Sequence, residues 1–416
     1  MRILFLLDTF QEDETGIALF RILERLAAIR EISLQVAAFE GSGPLAERLR
    51  EISIGTRLIP WRGLRDGKRM KELGRQLIQR ADRPDVIMSL CAWPALAARF
   101  LHGGVDHVPL ICALTGLTPE RKPGFLAGFA QAAAEKTTRR WISAITVPSH
   151  GLMDELIGRG YGRELVYRIP LGIDALQVFP LSESGRARYR MLASVGENQR
   201  LIIYTSRDHA DRDREALHVM RTFDSLHERG HEAVLFLLGD GYGEEVRAAA
   251  ETRGGRVRVI GSLTQATGKL YSAADVLIRG VMPRTWPIGA IEAQASGTPL
   301  IALIDPSEPG FSPEPDSGRL RPLDELHPLQ KAVVLPKWQV GVLAEALDEL
   351  ITNPEAAREL GADARDFVRE HYELGNCMEA LTELWRTLAP EASWKATDSI
   401  PSMELEAIQR ESNGGE

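Results

Sequence analysis

Thr285–Leu300, TWPIGAIEAQASGTPL, is the stretch whose reading decides the fold. It reads as a turn, a short helix over about 288–296, a glycine, and a buried strand over about 299–303. Proline has no backbone N–H and suits the first helical turn, so Trp286-Pro287 marks the way in. Gly297 suits the left-handed position that closes a helix. The helix interior is nearly all small and apolar, and one carboxylate, Glu292, stands within it. Backbone N–H groups collect at a helix N-terminus, opened here by Ile288, and stabilise phosphate there. A lone acid one turn further in is placed to accept hydrogen bonds from a ribose diol.

Outward from this stretch, the C-terminal half alternates regularly. Strands are predicted near 201–205, 233–238, 256–260, 275–279 and 299–303, with helices between them. One helix, over about 214–229, turns Leu217, Met220, Phe223 and Leu226 inward. The pattern predicts a doubly wound parallel sheet, whose ligands bind beyond the carboxyl ends of the strands. Ser206-Arg207, Gly239-Asp240-Gly241-Tyr242-Gly243 and Gly261-Ser262-Leu263 follow the first three of those strands.

The N-terminal half opens with an apolar strand at 2–7, a polar loop at 8–16, and a helix with Leu19, Ile22, Leu23, Leu26 and Ile29 on one face. A second strand follows at 32–39. This βαβ unit favours a parallel sheet covered on both faces. Further strands are predicted at 84–89, 108–114, 142–147 and 166–169. A polar linker is read at 175–198. Residues 305–331, rich in Pro, Ser, Glu and Asp, break the alternation and read as a mobile surface insertion. Three helices close the pattern by 388, and the polar residues 391–416 are expected to be disordered.

Composition narrows the class. A chain of 416 residues allows two or three domains, two being the better prior. Its 44% hydrophobic and 26% charged residues are ordinary for a globular protein in water. A net charge of −8 gives no global basic field, so nucleic acid is not an expected partner. Cys91, Cys112 and Cys377 have neither metal-ligand spacing nor a disulfide framework, which fits a reducing cytoplasm. The apolar run Ile3 to Leu7 is too short for a signal peptide's core. No stretch reaches the length of a membrane-spanning helix, so any membrane contact is expected to be peripheral. Two basic segments are candidates for it, Arg57–Arg83 and Arg121–Phe129. A solvated helix face explains the first more simply, since basic helix faces are common. Phe125 and Phe129 fit a helix core or an acceptor pocket equally well.

Trp286, Pro287, Glu292, Ala293, Ala295, Gly297 and Pro299 together resemble the donor-site signature of the retaining glycosyltransferases of family four, which have the glycosyltransferase-B fold. The resemblance extends over roughly 1–390 and is strongest from 201 to 303. It implies an α/β fold of two facing Rossmann-like domains with parallel sheets. The implied parts are an acceptor-side domain at 1–175, a nucleotide-sugar domain at 176–370, a crossing helix at 371–390 and a tail at 391–416. It implies retaining transfer of a hexose-like sugar from a nucleotide-sugar donor to an unknown acceptor, lipid-linked or polysaccharide. It implies no metal and no further cofactor. Asp211-Arg212-Asp213 spells a metal motif of a different glycosyltransferase fold and is discounted in this context.

Residue by residue, the resemblance makes Arg207 and Arg212 diphosphate contacts, Arg212 standing where the family has a lysine. A guanidinium is a wider, bidentate donor and not an equivalent group. Gly16, Gly239, Gly241, Trp286, Pro287 and Ile288 are the other donor-side positions. Glu292 is the ribose acceptor, its plain alternative being a helix residue paired with a neighbouring arginine. Besides Arg212, two positions depart from the family, Arg284 and Thr115. Arg284 replaces its first donor-site glutamate, and an arginine accepts no hydrogen bonds. Thr115 stands where a histidine is common. His150 lies near the acceptor side but out of register. The missing histidine and Arg284 also suit a noncatalytic sugar-nucleotide-binding or scaffold protein. An epimerase or phosphorylase on the same architecture is a further alternative. Arg284 equally suits a donor carrying an anionic group, paired as a fork.

Overall fold

The computed structural model describes residues 1–390 except 12–13, 42, 62–63, 79–82, 91, 104–107, 115–132, 135, 175–177, 207–210, 240, 262–266, 281–287, 308–309 and 315–316. Two sheets carry the molecule. The first holds β1 (Arg2–Thr9), β2 (Ser33–Glu40), β3 (Gly55–Leu58), β4 (Val86–Leu90), β5 (Leu110–Ala113), β6 (Ala144–Val147) and β7 (Val166–Arg168), in the order β3-β2-β1-β4-β5-β6-β7. All its neighbours pair in parallel.

The second sheet holds β8 (Arg200–Ser206), β9 (Ala233–Leu238), β10 (Val257–Ile260), β11 (Val276–Gly280), β12 (Leu300–Ile304), β13 (Phe311–Pro313), β14 (Leu320–Pro322) and β15 (Val333–Pro336). Its order is β10-β9-β8-β11-β12-β15-β14-β13, parallel from β10 to β15 and antiparallel at the β14-β13 edge. The two-domain α/β architecture expected from the alternation is therefore present.

Each sheet is buried on both faces, which is why its strands read as apolar runs rather than alternating ones. In β1, Ile3, Phe5 and Leu7 face one cluster while Leu4 and Leu6 face another. In β8, Ile202 and Tyr204 point to one side, Leu201 and Ile203 to the other. The first core is completed from far along the chain. The Leu374–Leu388 helix lays Leu374, Met378, Leu381, Leu384 and Trp385 onto it, and the Trp385 ring meets Phe5 edge-on at 6.2 Å.

Several local expectations are corrected. The first strand runs to Thr9 and the first helix, Glu14–Ala27, starts before Gly16, so 8–16 is not a continuous loop. The 175–198 linker contains a helix, Glu183–Leu192, none of whose residues is buried. Arg186 and Arg190 reach Asp275 at 2.8 and 2.9 Å, and Tyr189 packs half-buried on the core. The Ser182 hydroxyl caps its start by accepting from the Gly185 N–H at 3.2 Å. Composition alone reads such a polar helix as a linker.

Residues 305–331 are also folded where described. They supply the β13-β14 edge and a short 3-10 turn, Pro328–Lys331. The segment is tied to its surroundings. Tyr372 donates its hydroxyl to the Leu326 carbonyl. Asp324 accepts the His150 backbone N–H at 3.1 Å, at the head of the His150–Gly158 helix of the first domain.

Within this segment Nδ1 of His327 accepts the Leu329 N–H at 3.1 Å, which requires the neutral ring. Burial lowers its pKa to about 4. The unfolded chain takes up its proton near pH 6.5 and the folded one only near pH 4. Stability is thus full above pH 6.5, falls as the pH drops through the window between these values, and levels off below it. Urea midpoints of the parent should decline across that window, and His327→Gln should decline less. Parallel pH profiles would exclude this role for His327.

Candidate active site

In both sheets the strand order reverses between two neighbours, β1 and β4 in the first, β8 and β11 in the second. A crevice opens where connections leave in opposite directions, and ligands bind there. In the second sheet that point lies at Ser206 and Gly280, the paired last residues of β8 and β11. The groups around it define the candidate site.

The Ile288–Ala295 helix follows β11. All eight of its residues are buried, and Gly297 closes it at φ 74°. Arg279, on β11 and 2% exposed, lies beneath its first turn, where a Cβ at Gly289 would stand 2.5 Å from the guanidinium. Arg279 also donates to the Thr205 hydroxyl at 3.5 Å. A cation is therefore built in under the helix start. Glu292 lies where the two domains meet. Its Oε1 accepts from Nη1 of Arg21, on the Glu14–Ala27 helix of the first domain. The arginine partner weighed against a ligand-binding role is thus present, and it comes from the opposite domain.

On the other face of β11, Glu215 is fully buried. It accepts the Tyr204 hydroxyl at 2.8 Å and pairs with Lys337 Nζ at 2.9 Å. A Cβ at Gly280 would overlap Glu215 Oε1, so the strand must end in glycine for this carboxylate to sit there. Burial, then the Glu215 charge, pushes the Tyr204 phenol well above its usual range, so it stays a donor.

Arg212 begins the Arg212–Glu228 helix and is 6% exposed. Its Nη2 donates to the Gly241 carbonyl at 2.5 Å, and its guanidinium lies 4.7 Å over the Tyr242 ring. Asp213 accepts the Gly243 N–H at 2.9 Å. The first turn of this helix thereby clamps the glycine turn, in which Gly239 and Gly241 take φ 133° and 77°. In this geometry Arg212 shapes the loop beside the crevice rather than pointing freely into it.

Gly16 is buried in the first turn of its helix. His150 is half exposed, with Nδ1 3.4 Å from Asp324. Arg207, Arg284, Trp286, Pro287 and Thr115 lie outside the described residues, as does the whole of 121–129. In the other basic segment the Gly67–Ile78 helix buries Met70 and leaves Lys68, Arg69 and Arg75 exposed, with Arg75 paired to Glu72 at 3.1 Å. No helix among the described residues is long and apolar enough to cross a membrane. Arg21, Glu215 and Lys337 escaped the sequence reading because each acts on a partner remote in the chain. Arg279 left a trace: it is a cation inside the apolar run of a buried strand.

Known proteins agree with this architecture. Residues 19–172 match the model of the glycosyl transferase 4-like domain, and residues 199–353 match that of glycosyl transferases group 1. The chain belongs to the glycosyltransferases of the glycosyltransferase-B fold. Among solved structures, Anabaena HepE in complex with UDP and glucose superposes with a TM-score of 0.73 at 17% identity, covering 93% of this chain and 100% of that one. A glycosyltransferase from Rickettsia africae gives 0.71 at 13%, covering 92% and 98%. Sucrose-phosphate synthase from Thermosynechococcus elongatus gives 0.65 at 16%, covering 94% and 100%. No curated protein matches the sequence significantly.

The buried pair gives a direct test of this glycosyltransferase's site architecture. Breaking one partner of a buried ion pair costs about 3–5 kcal/mol, while replacing both by apolar groups is often neutral. Lys337→Met should destabilise by that amount in urea denaturation. Glu215→Leu combined with Lys337→Met should recover most of it. Equal loss in single and double variants would show that the pair is not the source of the effect.

Proposed function

We propose that this glycosyltransferase moves a sugar from a nucleoside-diphosphate donor to an acceptor hydroxyl with retention of anomeric configuration. The reading is carried by Glu292, a lone carboxylate at the domain boundary, one turn inside a helix whose first turn rests on buried Arg279. A ribose diol hydrogen-bonds the carboxylate, and the diphosphate takes the helix-start N–H groups. HepE, similar in fold, is known with UDP and with UDP-glucose, which supports a uridine donor as the first to try.

In the transfer, the bond from C1 to the diphosphate oxygen breaks and a bond from the acceptor oxygen to C1 forms. The acceptor's proton ends on the departing phosphate. Negative charge grows on the diphosphate, so the positive end of the helix and the cations around it lower the barrier. Arg207 joins them by the family's pattern, with Arg212 holding the adjoining loop. The first domain holds the acceptor, a lipid-linked sugar or a polysaccharide end. Arg284, in place of a family glutamate, selects a donor with an anionic substituent.

The protein incubated with a panel of nucleotide sugars and lipid-linked or oligosaccharide acceptors should release nucleoside diphosphate. Proton NMR of the product should show the donor's anomeric configuration. Binding without release for every pair would favour a noncatalytic sugar-nucleotide-binding protein instead, and an inverted product would remove retention. Glu292→Gln should weaken donor binding by roughly tenfold, the worth of one hydrogen bond to a charged group. Arg284→Glu should shift preference from UDP-glucuronate toward UDP-glucose. An unchanged preference would remove the anionic donor.

A further inference from the structure

We propose that Arg21 is a positioning residue for nucleotide recognition: reaching across from the first domain, it orients the Glu292 carboxylate toward the ribose and so ties nucleotide affinity to the apposition of the two domains. The inference rests on the nucleotide reading of Glu292 given above.

Arg21 Nη1 donates to Glu292 Oε1, and only 14% and 12% of the two side chains is exposed. The helix carrying Arg21 is placed to deliver it. Ala18 joins Ile288, Ile291 and Ala295 in one apolar cluster, so the first helix lies against the Ile288–Ala295 helix through a side chain small enough for close approach. Arg25 grips buried Asp174, where the chain leaves the first domain, through Nε at 3.1 Å and Nη2 at 3.0 Å. Ala18, Arg21 and Arg25 fall at i, i+3 and i+7, on one helix face. An apolar contact before Arg21 and an ion pair after it hold that face in register with Glu292.

A carboxylate has two oxygens and about four acceptor sites. A guanidinium on Oε1 leaves acceptor capacity on Oε2 for a ribose hydroxyl, and it removes the side-chain freedom that binding would otherwise have to restrict. The carboxylate's orientation is thus set by a residue of the other domain. Affinity for the ribose then depends on how the domains stand, and by linkage the nucleotide favours the arrangement in which Arg21 reaches Glu292.

Calorimetric titration of the full chain with UDP, GDP and ADP selects the tightest diphosphate, which is then compared with its 2′,3′-dideoxy form. Arg21→Gln should weaken the ribonucleotide by about tenfold and leave the dideoxy form unchanged. Arg21→Lys should recover part of the loss. On a Glu292→Gln background, Arg21→Gln should add almost nothing, the mark of two residues acting through one contact. Thermal melts confirm that each variant is folded. Equal weakening of the ribo and dideoxy forms overturns the proposal, because Arg21 would then act only on domain packing. Ribonucleotide binding sensitive to Glu292→Gln but not to Arg21→Gln overturns it while leaving the nucleotide reading standing. If none of the three diphosphates binds the unmutated protein, the nucleotide reading falls and this one with it.

Discussion

Two backbone hydrogen bonds at one point govern how the halves of this molecule meet. The Ile173 N–H donates to the Tyr372 carbonyl at 2.9 Å, and the Leu374 N–H donates to the Ile173 carbonyl at 2.8 Å. These are the two places where the chain passes between domains, once on the way out and once on the way back. They approach closely because position 172 is glycine; a Cβ there would stand 2.8 Å from the Leu374 Cα. Ile173, Val178, Val368 and Tyr372 close around the crossing in the same apolar cluster that receives Ile288 and Ile291. With both passages pinned together, the chain crosses between the domains at a single place.

The second domain carries an unusual load of buried charge just below its crevice. Glu215, Lys337, Arg279 and Arg212 are all less than 9% exposed. Taking such groups out of water costs several kcal/mol each, and pairing only partly offsets it. An apolar core of equal volume would be the simpler way to stability. What the charges provide instead is stiffness of position. Each is held by named partners at a strand end or a helix start, so the field they generate at the strand ends is fixed in place.

Much of the fold was legible because a parallel sheet covered on both faces writes itself as apolar runs at regular intervals. Strands β8, β9 and β12 lie within a residue or two of their predicted places for that reason. The edge strands β13 and β14 were not legible, since three residues are too few to show a period. The Glu183–Leu192 helix was hidden by having no fully buried residue; the charge on Asp275 and the half-buried Tyr189 secure it. In the site, Glu292 stood out as the only acid in an apolar helix. Its partner did not, because 271 residues separate Arg21 from it and nothing local marks a cation that acts across a domain boundary. Arg212 was visible as a cation, but its grip on the Gly241 carbonyl depends on a turn whose path no local pattern specifies.

The Leu374–Leu388 helix bears on how the protein is made. Its Trp385 covers Phe5, so residues of the first strand are buried by residues made only after the second domain. While the chain is being synthesised, the sheet of the first domain can form, but one wall stays bare until residue 388 has emerged. Domains generally fold as units from the N-terminus during translation, and exposed apolar surface invites aggregation. Here the first domain is completed only after the second has been made, and until then part of its apolar core has no cover.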